Sequence, residues 1–144
     1  MDPGGSEAAA DILGALARCD RVMFEAQLRL NVRTDVANAD REVNLYPRTD
    51  GGVRAELGVS AFVPTPRRAA FWYVVMEGAP GAWAVTAEAF VIDGGGRAPL
   101  RPDEHWDGPS IRECAAAVAR FAEELVANVA SVDIMGPETP RAPR

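Results

Sequence analysis

The stretch Ala69–Asp93 reads AAFWYVVMEGAPGAWAVTAEAFVID, and its interpretation decides the fold. Two apolar runs flank the turn-forming cluster Gly78-Ala-Pro-Gly81, which predicts a β-hairpin. This is the part of the chain that is apolar on both faces. Pairing Glu77 with Ala82 would stack Met76 on Trp83, Val74 on Val85 and Trp72 on Ala87. Small side chains at Ala87 and Ala89 leave room for a helix to approach, which makes that face the core side. The reverse face carries Phe71, Tyr73, Val75, Ala84, Thr86, Glu88 and Phe90.

A second hairpin lies just upstream, VNLYPRTDGGVRAELGVSAFV over 43–63. A three-residue loop Thr49-Asp50-Gly51, with Gly51 in the left-handed position, sets its register. Arg48 then faces Gly52, Leu45 faces Ala55 and Val43 faces Leu57. That grouping puts Val43, Leu45, Val53, Ala55, Leu57, Val59 and Ala61 on one face. Asn44, Tyr46, Arg54, Glu56 and Ser60 fall on the other. Shifting by one residue would set Leu45 against Glu56 and mix the faces. Pro64 and Pro66 end this strand, since proline donates nothing to a ladder.

Towards the N-terminus, Met1–Gly5 reads as a frayed lead and Ser6 as an N-cap. Ala9, Ile12, Leu13 and Leu16 recur at helical spacing, predicting a helix to about Cys19. From Val22 to Arg33 apolar and polar residues alternate, so a strand is expected there, followed by a loop over Thr34–Arg41. Towards the C-terminus, Asp93–Gly108 is rich in Gly and Pro and reads as a loop. Ser110-Ile-Arg-Glu113 is a capping box. It opens a helix whose stripe, Ile111, Ala115, Val118, Phe121, Ala122, Leu125, Val129 and Val132, runs to about Val132.

The expected class is therefore α+β: an N-terminal helix, a five-stranded antiparallel meander and a long C-terminal helix, with both helices on one sheet face. Residues 1–134 form a single domain, and 135–144 are expected to be disordered.

Composition narrows the function. The 144 residues carry a net charge of −6, with fifteen basic residues, all arginine, against twenty-one acids. Phosphate backbones are bound by clustered basic residues, and here they are scattered, so no nucleic acid partner is expected. No apolar run approaches the roughly 20 residues of a spanning helix, and the acidic N-terminus has no signal-peptide pattern, so a cytoplasmic protein without membrane contact is expected. Cys19 and Cys114, in separate predicted elements, read as small buried hydrophobes.

Catalytic chemistry finds little support. His105 is the one histidine, within Arg101-Pro-Asp-Glu-His-Trp-Asp107. Asp103, Glu104, His105 and Asp107 are loop neighbours that would not converge on a metal ion, so neither metal nor cofactor is expected. No serine lies in a Gly-x-Ser-x-Gly elbow, and Asp93-Gly-Gly-Gly96 does not open a helix that could cradle phosphate. No catalytic residue is expected.

What remains is a surface. Phe71, Tyr73, Val75, Glu88 and Phe90 form a face that binds a polypeptide or a second copy as a homodimer, unless the first helix or the 94–108 segment folds across it. An alternative is a cup for a small apolar ligand, closed by the C-terminal helix near Trp72, Trp83 and Phe121.

Val43-Asn-Leu-Tyr46, Asp50–Val63 (DGGVRAELGVSAFV) and Arg67-Arg68 resemble the sheet core of the bacterial type III secretion chaperone-like superfamily, the YbjN-type proteins. The resemblance implies a small α+β domain that binds other polypeptides, often as a dimer. The chain departs from that pattern after Arg68, where a helix is usual and Phe71–Met76 reads as strand.

Overall fold

The computed structural model describes residues 3–134, with side chains from residue 10. Helix α1 (Pro3–Asn31) leads into strands β1 (Asn38–Pro47), β2 (Val53–Pro64), β3 (Arg67–Ala79), β4 (Ala82–Asp93), β5 (Gly96–Pro99) and β6 (Glu104–Gly108), and helix α2 (Ile111–Val126) follows. The first five strands form an antiparallel meander, and β6 adds to the edge of β4 beside β5. Both helices pack on the same side of this sheet, α1 on β1 and β2, α2 on β3, β4 and β6, and they pack on each other. The α+β class and the one-sided helical layer are as expected.

The first helix departs from expectation. It does not end near Cys19, and Val22–Asn31 is helix, not strand. Its buried stripe is Ala15, Cys19, Met23, Ala26 and Leu30, at spacings of three and four. The alternation that suggests a strand comes from Phe24 and Leu28, exposed on the outer side of the helix, and Val32, exposed in the turn just after it. Glu25, Ala26, Gln27, Leu28 and Arg29 are strong helix formers, and no Gly, Pro or Asn interrupts the run from Ala15 to Leu30. Ser6 lies inside the helix, so it is not the cap; Pro3–Gly5 is helical and Met1 and Asp2 lie outside the described residues. The edge strand comes instead from Asn38–Pro47, which takes over part of the expected Thr34–Arg41 loop.

In the β1–β2 hairpin, Val43 faces Leu57, Leu45 faces Ala55, and Gly51 sits at φ +83, as the turn chemistry requires. The β3–β4 hairpin is displaced by two residues from the expected pairing. Met76 faces Val85, Val74 faces Ala87, and Ala79 faces Ala82 across a two-residue loop, Pro80-Gly81. Proline's fixed φ suits the first central position of a type II turn, and Gly81 at φ +87 suits the second. A shift of two keeps every side chain on its face. The inner face therefore holds Trp72, Val74, Met76, Val85, Ala87 and Ala89, all buried under the helices with Phe121, Ala122 and Leu125.

Asp93–Gly108 is not a plain loop. Its two short strands run in the same direction along one edge of β4, with Leu100 still donating to the Ala89 carbonyl at 2.9 Å. Residues 100–103 then bulge outward, because four residues span two on β4. Pro102 cannot pair there, and Arg101 anchors the bulge by donating to the Glu124 carbonyl of α2 at 2.7 Å. Helix α2 is capped by Ser110, whose hydroxyl accepts from the Glu113 amide, but it ends at Val126, short of Val132, and continues in turns to Ser131. The tail over 135–144, expected to be disordered, lies outside the described residues.

Cys19 and Cys114 are free and buried. Burial, with the Asp20 carboxylate beside it, pushes the Cys19 thiol up to about 12, and burial alone brings Cys114 to about 11. Both are packing residues.

Arg33, just past α1, ties the two ends of the fold together. Its Nη1 donates to the carbonyls of Val129 (2.9 Å) and Val132 (2.7 Å), while Nε and Nη2 grip Asp35 in a bidentate pair at 2.9 and 2.8 Å. The hydrogen bonds from Arg33 hold the Asp35 carboxyl below its ordinary value of 3.8. Arg33→Ala should lower the free energy of unfolding by roughly 2–3 kcal/mol in urea titrations, as for lost charge-assisted hydrogen bonds. A carboxyl with a depressed folded-state pKa stabilises above its unfolded value and loses that contribution as pH falls below it. Stability should therefore fall as pH drops below about 4, and less steeply in Asp35→Asn.

Candidate functional site

Because both helices sit on one side, the opposite face of β2, β3 and β4 has no second layer among the described residues. Strand alternation and register place there Phe62, Phe71, Tyr73, Val75 and Phe90, with Arg54, Glu56, Glu77 and Glu88 around them. Phe71 lies directly opposite Phe90, and their rings stack at 5.1 Å. Tyr73 stacks on Phe71 at 6.0 Å and stands 6.5 Å from Phe90. The sequence-predicted residues are thus brought together, with Val75 next along β3 and Glu88 opposite Tyr73.

Helix α1 does not fold over this face, and the 94–108 segment runs along the β4 edge and reaches the face with the Arg97 side chain. Most of the cluster is nevertheless half-buried, through two devices that the sequence reading missed. The first is Arg97 of β5, whose guanidinium lies 3.6 Å from the centre of the Phe90 ring and pairs with Glu88 at 2.7 Å. Phe90 is left 9% exposed. A cation on an aromatic face is an attractive contact in its own right.

The second device is Gly58. It faces Tyr73 across β2 and β3, and a Cβ built there would lie 2.2 Å from the Tyr73 ring and 2.6 Å from the Trp72 carbonyl oxygen. Without a side chain at Gly58, the tyrosine lies flat across β2 and its hydroxyl donates to Glu42 of β1 at 3.0 Å. Burial first, then the Glu42 carboxylate, raises the phenol's pKa, so it stays protonated and keeps donating. Glu42 faces Gly58 in the β1–β2 register, so extending that register across β3 would have found this contact.

The rim is acidic. Arg54 is shared between Glu56 (3.2 Å) and Glu77 (3.1 Å), and Arg97 is matched by Glu88, while Asp40, Glu42 and Asp107 add negative charge. The result is an aromatic floor with carboxylates round it.

Beside this floor, His105 stands on β6, not in a loop. Its Nδ1 is 3.2 Å from the Thr86 hydroxyl and its Nε2 is 3.0 Å from Asp107. Hydroxyl, imidazole and carboxylate lie in the order of a hydrolytic triad, but all three sit on exposed sheet surface. The backbone around Thr86 is paired with β3 on one side and β6 on the other, so β4 supplies no free N–H pair for an oxyanion. Glu104 points to the other face, opposite Ala87, and bonds Arg101. Among the described residues no cluster of three or more His, Cys, Asp or Glu could hold a metal ion.

The residues of the ligand-cup reading belong to one hydrophobic core, with Trp83 packed against its edge. Trp72 and Phe121 are buried in the core. Trp72 touches a cavity of 280 Å³ beside Leu100 and Asn128, whereas Trp83 lines a different one of 560 Å³ beside Arg48 and Glu77.

Gly58→Ala should destabilise the fold by about 1–3 kcal/mol, the scale of an overpacked site, and should weaken the near-UV dichroism of Tyr73 by lifting its ring. Thermal unfolding and near-UV spectra of the variant check both.

No family model matches the chain, and neither a curated protein nor a solved structure matches it. No helix among the described residues is long and apolar enough to cross a membrane.

Proposed function

We propose that this chain is a non-catalytic protein-interaction domain, of the chaperone, adaptor or immunity-protein kind, that binds a polypeptide on the outer face of its sheet and works in the cytoplasm. The observation that carries the reading is the stacked Phe71, Tyr73 and Phe90 cluster on a face that no other layer of the described residues covers. Aromatic rings contribute most to interface energy when a partner completes their burial. The acidic rim selects the partner's chemistry. It repels phosphate groups and favours a segment with arginine or lysine among apolar residues, its cations over Phe71 and Tyr73 as Arg97 already lies over Phe90. The resemblance of Val43–Tyr46, Asp50–Val63 and Arg67-Arg68 to chaperone-like domains points the same way.

A random-peptide display selection against the intact chain tests this. Basic peptides carrying apolar residues should be enriched, and Val75→Lys should weaken their binding at least ~10-fold, the scale of one centrally placed contact, with the far-UV spectrum unchanged. Selected peptides that bind Val75→Lys as well as the native chain would overturn the proposal.

A further inference from the structure

The two edges of the sheet are finished differently. The β4 edge is covered along most of its length by β5 and β6. The β1 edge pairs with nothing beyond β2 among the described residues.

Which β1 groups face outward follows from the hairpin. Arg48 donates its backbone N–H to the Gly52 carbonyl at 3.0 Å, so in the ladder that continues from it the even-numbered residues turn N–H and C=O towards β2 and the odd-numbered ones turn theirs away. Ala39 shows the same parity. Its N–H donates to Asn31 Oδ1 at 3.0 Å, and its C=O accepts from Gln27 Nε2 at 3.0 Å, both side chains belonging to α1. Helix α1 thereby closes one end of the edge. At the other end Pro47 has no N–H to offer. Between them Arg41, Val43 and Leu45 present three open N–H and C=O pairs.

This window is symmetric about Val43, and we propose that it is where two copies of the chain join, β1 against β1, antiparallel about a two-fold axis at Val43. In that register Arg41 faces Leu45 of the second copy and Val43 faces its own equivalent, so every open backbone group is used. On the outer face Glu42 meets Asn44, whose amide can donate to it, and Asp40 meets Tyr46, whose hydroxyl can do the same. No like charges oppose. Centring on Glu42 would set two glutamates face to face, which destabilises a sheet pair. Centring on Asn44 would pair Arg41 with Pro47 and lose bonds.

The side chains agree with this register. Val43 and Leu45 share the inner face with Leu57 and Ala55, yet they are 49% and 63% exposed, because α1 covers β1 only near Ala39 and Arg41. Phe24 of α1, 42% exposed, has its ring 5.2 Å from the Arg41 guanidinium. Since Arg41 of one copy faces Leu45 of the other, Phe24 of each copy comes to the uncovered Leu45 of its mate. An axis perpendicular to the sheet also leaves both aromatic faces on the same side, making the assembly bivalent for a polypeptide.

Sedimentation equilibrium of the full chain at tens of micromolar should give twice the chain mass. Val43→Lys, which sets two cations face to face, should give a single-chain mass with an unchanged circular dichroism spectrum. In an otherwise native chain, Val43→Cys should cross-link to its own equivalent under mild oxidation. The proposal is overturned by a single-chain mass for the native protein, or by a double mass that persists in Val43→Lys. Should Val43→Lys fail to fold, the cross-link decides, and its absence overturns the proposal. Val75→Lys, on the peptide-binding face, should leave the mass unchanged, so the two surfaces fail separately.

Discussion

Two helices are seated on one face of a six-stranded sheet, and the rest of the structure depends on that asymmetry. It is possible because the inner face is built with gaps. Ala55, Ala61, Ala70, Ala87 and Ala89 alternate there with Leu57, Val59, Trp72, Val74 and Val85, all nearly inaccessible to solvent. Small side chains let the helix axes approach while the large ones fill the space between. Arg33 then pins the C-terminal turns to the end of α1, so the helical layer is closed at that end by a satisfied cation. With both helices committed to one face, the other face must manage its own apolar residues.

It does so by stacking them on one another. Phe71, Tyr73 and Phe90 shield each other, Arg97 lies over one end, and Gly58 lets Tyr73 lie flat. These are partial solutions, and among the described residues no layer lies above the sheet face. A second helical layer would have hidden the rings. The charged rim instead keeps the face wet, and that combination suits reversible contact better than permanent packing.

The face assignments are legible in the sequence because strand alternation is insensitive to a register shift of two residues. The β3–β4 register was displaced by two residues, yet Phe71, Tyr73, Val75, Glu88 and Phe90 still fell on the face where the structure places them. The turn at Thr49–Gly51 fixed the other hairpin outright. The 22–32 segment failed for a physical reason. It carries more apolar residues than one helical stripe needs, and the surplus of Phe24, Leu28 and Val32 beside Met23, Ala26 and Leu30 satisfies both periods at once. Only the continuity with Ala15 and Cys19 distinguishes them. β6 was illegible because Glu104–Gly108 has one large apolar residue, Trp106, and takes its strand geometry from an available β4 edge.

That surplus also bears on the surface. A helix in a two-layer domain buries one stripe, so apolar residues beyond that stripe stay largely outside the core. Here the surplus includes Phe24, which stands beside the same β1 edge where Val43 and Leu45 lack a cover. The opposite edge shows how this fold finishes a strand it does not leave open: two short segments and a bulge follow β4, with Arg101 reaching to α2. On β1 the corresponding effort stops at Ala39, with Gln27 and Asn31. An edge closed at one residue and open over the next three odd positions, beside apolar side chains the core does not need, has the form of an interface.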